Sequence, residues 1–153
     1  MKTISLINSD KVALVDDDDY REVSKYRWYL TPQGYVRSSS PIERKHIMLH
    51  RFILKPLRGL DTDHINHDPI DNRHRNLRIV KHAQNMANML KHRDGTSRFK
   101  GVCWEKGREK WLARICREGK TIHLGEFKSE TVAARAYDKA AMKHFGEFAR
   151  TNF

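Results

Sequence analysis

Short apolar runs broken by polar punctuation fill the first half of the chain, and their lengths suit strands better than long helices. Residues 3 to 8 and 12 to 15 read as two short strands. DDDDY, at 16 to 20, offers aspartates that cap a short helix through REVSKY and place negative charge in its first turn. RWYLTPQGYVRS reads as a hairpin, with aromatic and branched residues on either side of a Pro and Gly turn. IMLHRFIL, at 47 to 54, is too short for periodicity to choose between strand and helix, and Pro56 with Gly59 ends it.

From residue 61 the pattern becomes strand, loop, strand, helix: DTDHIN, HDPIDNRHRN, NLRIV and KHAQNMANMLKH. Residues 91–97 are polar around a central Gly and are read as a linker between a module at 1–90 and one at 98–153. In the latter, FKGVCW, KWLARICR and TIHLGEF form three short strands, the last two joined by a tight EGK turn. Ser129 caps a helix whose Val132, Ala133, Ala136, Tyr137, Ala140 and His144 share one face, matched by Ala113, Ile115, Ile122 and Leu124 on the sheet. The opposite sheet face carries Lys100, Arg114 and His123, with Trp104 and Lys110 near its rim. The expected fold class is α+β.

Charge changes the picture. Among 153 residues, 30 Lys and Arg oppose 19 Asp and Glu, a formal +11. Residues 1 to 36 hold 5 basic and 6 acidic side chains, and the remainder hold 25 and 13, so the surplus follows the first strand-rich segment. A polyanion is the natural partner, and nucleic acid is favoured over a membrane because no amphipathic basic helix accompanies the charge. Cys103 and Cys116 are the only cysteines, too few for a Cys-rich zinc site or a disulfide framework. No signal-peptide-like apolar run opens the chain, and a reduced, cytoplasmic compartment is expected.

Residues 61 to 89 hold four histidines, four aspartates and five asparagines. Asp63 and His64 are adjacent, so on a strand they point apart, one able to grip a metal while the other faces an attacking water. A neutral imidazole suits general-base work because its unperturbed pKa is about 6.5. Asn85 can offer a neutral oxygen to the same ion, and an Asp and Asn oxygen pair suits a hard cation such as Mg2+, or another divalent ion such as Mn2+. His67, His74 and His82 read as solvated or DNA-facing rather than as ligands. Aspartates 16 to 19 read as a cap or acidic turn, because four consecutive side chains point in different directions. His50 and Arg51 are divided between packing and touching a phosphate, and Arg73 and Arg75 are candidate phosphate contacts through their planar guanidinium forks.

LHR at 49 to 51, DHIN at 63 to 66, DN at 71 to 72, NLR at 76 to 78 and QN at 84 to 85 together resemble the HNH nucleases, whose ββα-metal site occurs in homing endonucleases of phages and mobile introns. The resemblance implies that Asp63 is a metal ligand, His64 the general base, Asn85 the second ligand, and Asn76 the catalytic-loop residue that ties the loop to the strands. HDP at 67 to 69 departs from the small, glycine-rich loop of homing members. SRFKGVCW, KWLARI, LGEF, AARAYDKAAMKHFGEFA and TNF resemble the APETALA-type DNA-binding domain of plant ethylene-response factors. That resemblance implies a sheet lying in the major groove, with Lys100, Trp104, Lys110, Arg114, Lys120 and His123 as candidate nucleic-acid contacts. Cys103, Cys116, Thr121 and His123 depart from residues typical of plant members, so the fold and DNA-facing surface are carried over without a recognition sequence.

The expected function is a metal-dependent, homing-type endonuclease acting on double-stranded DNA, nicking as a monomer or weak dimer in a bacterial or phage-infected cell, without a membrane. One runner-up is a DNA-binding regulator built on a degenerate nuclease scaffold. Another is an RNA-directed protein, which the deep, narrow groove of A-form RNA disfavours.

Overall fold

A computed structural model describes residues 1–39, 46–91 and 95–153. Part of the expected linker, residues 92–94, lies outside the described residues. The architecture is α+β and divides into two compact units, Met1–Lys81 and His82–Phe153.

The first unit is built on a mixed five-stranded sheet of order β2-β1-β3-β4-β5. β1 (Lys2–Leu6) and β2 (Ser9–Val15) form an antiparallel hairpin, and β1 meets β3 (Trp28–Leu30) in parallel through Leu6 and Trp28. β4 (Val36–Ser39) then pairs antiparallel with β3 and with β5 (His46–Met48). The helix expected after the aspartates begins earlier than its apolar residues suggest. α1 (Asp17–Val23) takes Asp17, Asp18 and Asp19 into its first turn, where their charge offsets the exposed N–H dipoles. Asp16 occupies the cap position, yet its side chain makes no cap bond.

Residues 47 to 54 resolve into both alternatives at once, strand β5 followed by helix α2 (Leu49–Leu54). Leu49, His50 and Ile53 are buried, the spacing of one helical face, and Lys55 ends the helix with a left-handed φ of 47° just before Pro56. Ile4, Leu6, Ala13, Val15, Val23, Trp28, Val36, Leu49, Ile53 and Leu77 form the core, with Phe52 packed edge-on against both Trp28 and Tyr26, and Tyr26 tilted against Trp28. Trp28 buries its ring completely because its indole N–H finds the Val23 carbonyl at 2.8 Å. Tyr35 is 40% exposed and lies against two histidine rings. A separate two-stranded ladder joins β6 (Leu60–His64) to β7 (Leu77–Lys81).

The second unit opens with helix α3 (His82–Asn88). An antiparallel sheet of order β10-β9-β8 follows, from β8 (Val102–Glu105), β9 (Lys110–Arg117) and β10 (Lys120–Phe127). Glu118 and Gly119 turn β9 into β10 with φ of 53° and 75°, the doubly left-handed geometry of a two-residue hairpin loop. α4 (Glu130–Phe145) buries Ala133, Ala134, Tyr137, Ala140 and Ala141, while Val102, Ala113 and Ile115 are the buried residues of the sheet strands. Small alanines let the helix approach the sheet closely. The tightest point is Gly101, at φ 74°, where an added Cβ would stand 1.9 Å from the Tyr137 ring. The C-terminal tail is tied by Asn152, which exchanges bonds with the Lys100 backbone at 2.7 and 3.2 Å and donates to the Asp138 carboxylate. No helix among the described residues is long and apolar enough to cross a membrane.

Candidate active site

Asp63 and His64 end strand β6, and both are buried, at 7% and 6% exposure. The antiparallel register sets Asp63 opposite Arg78 and His64 opposite Leu77. Arg78 uses that register: its Nε and a terminal nitrogen reach Asp63 Oδ2 at 2.9 and 2.8 Å. These two bonds give the buried Asp63 carboxyl a charged partner and fix the direction of Oδ2.

His64 faces a different environment. Burial pulls its pKa below the usual histidine range, against the opposing effects of a bond to Asn72 and the charges of Asp63, Asp68 and Asp71. The ring is therefore neutral near pH 7, as a proton acceptor must be. His50 and Tyr35 complete an aromatic cluster, with ring centroids 5.1 Å apart for His50 and His64 and 6.0 Å for Tyr35 and His64. Burial first, and the neighbouring His64 and Arg51 second, push the His50 pKa down to about 4. Its Nδ1 is buried without a hydrogen-bond partner.

The loop between β6 and β7 is a mesh of side chain to backbone bonds. Asn76 accepts from Asn66 N through Oδ1 at 3.0 Å and donates to Asp71 O through Nδ2 at 2.7 Å, joining both ends of the loop. Asp71 holds Arg73 through two bonds of 2.6 Å, and that guanidinium keeps the Asp71 carboxyl below the usual range. The loop is also docked on β2, with Leu14 N donating to Ile70 O and Asn72 N donating to Leu14 O. Pro69 rests against Gly34, so the HDP segment closes on the β3–β4 turn. Asn72, 0% exposed, contacts His64 at 3.3 Å. It was visible in the sequence only as part of the DN pair, without a role.

Asp16, Asp19 and His74 form a second polar cluster, with candidate ligand atoms all within 4.8 Å of one another. His74 N donates to Asp16 Oδ2 at 2.7 Å, and His74 Nε2 lies 3.0 Å from Asp19 Oδ2. This is the one group of three such residues among the described residues with geometry suited to a divalent cation. A separation of 58 residues hid it from any local reading of the chain.

The remaining candidate residues fall in several settings. Arg51 donates to Leu60 O at 3.3 Å, Arg73 is committed to Asp71, and Arg75 is exposed. Asn85 lies on α3 in the second unit. On the sheet, Arg114 pairs with His123 and Lys120 with Arg117, whereas Trp104 packs edge-on against Trp111 at 5.0 Å. Strand alternation puts Arg114 and His123 on the face opposite Ala113 and Ile115. Lys110 and Arg108 pair with Glu126. The Lys100 ammonium donates to Ala87 O and Met89 O, each at 2.6 Å, and burial lowers its pKa to about 8. An apolar groove of about 740 Å³ in this unit, lined by Met86, Leu90, Phe99, Tyr137 and others, contains none of the residues considered for the chemistry of β6.

Comparison with known proteins gives this geometry a context. Residues 56–87 match the profile of the HNH endonuclease family, a span that includes Asp63, His64, Asn72, Asn76 and Asn85. The chain is 33% identical over 146 residues to an uncharacterized HNH endonuclease of Acanthamoeba polyphaga mimivirus, covering 92% of this chain and 74% of the relative. It is 32% identical over 108 residues to Protein 3.8 of Escherichia phage T7, covering 70% of this chain and 88% of that protein. A shorter similarity, 38% over 58 residues, is to an AP2-like ethylene-responsive transcription factor of Arabidopsis thaliana, covering 38% of this chain and 13% of that protein. The extent of the viral match, together with a profile that spans the β6–β7 hairpin, places this chain in the HNH endonuclease family.

Proposed function

We propose that the chain hydrolyses phosphodiester bonds in double-stranded DNA with a divalent cation, as a site-preferring, homing-type endonuclease whose second unit holds the duplex. The observation that carries this reading is His64, buried and neutral beside the Arg78-held Asp63 carboxylate. Its neutral imidazole takes a proton from water as the water oxygen attacks phosphorus. The bond to the 3′ oxygen then breaks and the phosphate remains on the 5′ side.

Asp63 and Asn85, both hard oxygen donors, would hold a Mg2+-class ion by the family resemblance. When bound, such an ion supplies positive charge to the phosphate and the leaving oxygen. Asn76 holds the loop behind His64. One site of this kind cuts one strand, so a monomer nicks. Duplex is met by the outer sheet face through Arg114 and His123, with Lys110, Lys120 and Trp104 at its margins, and by Arg51 and Arg75 in the first unit. Arg73 and Lys100 act through the loop and the helix end that they brace.

Supercoiled plasmid incubated with the protein and Mg2+ should become nicked, and a chelator should stop the reaction. Cleavage that persists unchanged in Asp63→Ala and His64→Ala proteins would sink the proposal. Tight duplex binding with no cleavage at any sequence in a wide pool of DNA would favour a non-catalytic regulator.

A further inference from the structure

Asn72 has a fixed amide orientation. Its backbone N–H is pinned to Leu14 O at 2.9 Å, and its side-chain Nδ2 donates to Pro69 O at 3.2 Å. A carbonyl oxygen can only accept, so nitrogen must face Pro69 and Oδ1 must face His64 Nε2, 3.3 Å away. An amide oxygen can only accept too. Nε2 therefore carries the ring proton, and in the neutral imidazole the lone pair lies on Nδ1. Turning the ring over would set a C–H against Oδ1, and His50, packed edge-on at 85°, stands beside it.

We propose that Asn72 is a positioning residue that sets the tautomer and ring plane of His64, making Nδ1 the nitrogen that receives the proton of the attacking water. This rests on the general-base role proposed above. In the step, the water oxygen bonds to phosphorus and the P–O3′ bond breaks with its electron pair, which takes a proton from solvent. The proton of the water goes to Nδ1, and the resulting imidazolium keeps its Nε2–H on Asn72 Oδ1 until it releases the added proton to solvent. Asn72 acts through the ring that it touches, as do the groups that orient metal-bound histidines.

The full chain, labelled with 15N-histidine and free of metal, tests the assignment directly, because long-range 1H–15N spectra separate the two neutral tautomers. The signals of His64 are identified by their loss in His64→Gln. Wild-type His64 is expected as the Nε2–H form. Asn72→Ala should show a mixture of tautomers and lose roughly 10- to 100-fold in kcat for nicking, with duplex affinity held within about two-fold. A wild-type Nδ1–H form or a mixture overturns the proposal whether or not any variant folds. So does a folded Asn72→Ala protein with the wild-type tautomer and rate. The tautomer is read without cleavage, so an Nε2–H wild type that fails to nick would remove the nuclease reading alone.

Discussion

Asp63 and His64 share a peptide bond, yet their surroundings differ. Asp63 is paired with Arg78, which stands opposite it in the ladder, whereas the His64 pKa is lowered because burial outweighs the carboxylates nearby. On the proposed general-base role of His64, removing its imidazole while leaving the fold intact should cost about 10²- to 10⁴-fold in rate, so His64→Ala is expected to bind duplex normally and cut it poorly, as measured by gel shift and single-turnover cleavage. His50 yields a prediction about stability. Its folded pKa of about 4 lies below the ordinary 6.5, so the unfolded chain takes up the proton first. The stability held by neutral His50 is complete above pH 6.5 and is lost as pH falls toward 4, by at most about 3 kcal/mol. Urea unfolding of wild type and His50→Phe across that window should show a difference that closes with rising pH. A difference independent of pH would contradict the assignment. At this scale the sequence displayed Asp63 and His64 clearly, since neighbouring residues need no knowledge of the fold. It concealed Arg78 and Asn72, whose partners are set by strand register and loop closure.

Among the elements, the β6–β7 loop is the part most heavily cross-braced. Asn76 is buried and joins Asn66 N to Asp71 O, so Asn76→Ala leaves these two backbone groups of the loop without that partner. A loss of about 1–3 kcal/mol is expected in denaturant unfolding, together with weaker cleavage. Gly101 carries a parallel prediction for the second unit. Its positive φ and the Tyr137 ring leave no room for a methyl group, so Gly101→Ala should destabilise by more than about 2 kcal/mol, readable as a lower Tm. Most of these elements could be read from alternation and turn residues, including the RWYL hairpin, the NLRIV strand and the three C-terminal strands. Residues 47 to 54 could not, because three residues of strand and six of helix are each too short to establish a period. The aspartates misled differently. Asp16 looked like a cap but spends its carboxylate on His74 N, and a bond spanning 58 residues leaves no local trace.

For the molecule as a whole, the basic surplus and the two units support a division between cutting and holding. Affinity for duplex should fall linearly on a log–log plot against salt, with a slope of about −0.9 per phosphate contacted. Arg114→Ala, on the outer sheet face, should weaken binding and make that slope shallower by about one if it meets a phosphate, while leaving the rate of bound complexes unchanged. A slope untouched by Arg114→Ala together with unchanged affinity would take that residue off the interface. The composition change led to an expected boundary at 91–97, whereas the compact units divide between Lys81 and His82, with α3 in the second. The attachment of α3 was not legible in the sequence. Its tethers, Lys100 to Ala87 and Met89 and Arg150 N to Ala87 O, come from distant points in the chain. The most direct test of the central claim is single-turnover cleavage of a labelled duplex by wild-type and His64→Ala protein, each saturating and with Mg2+. A nick bearing a 5′ phosphate is expected for the wild type, and a rate at least about 100-fold lower for the variant. Equal rates for the two proteins would contradict that claim.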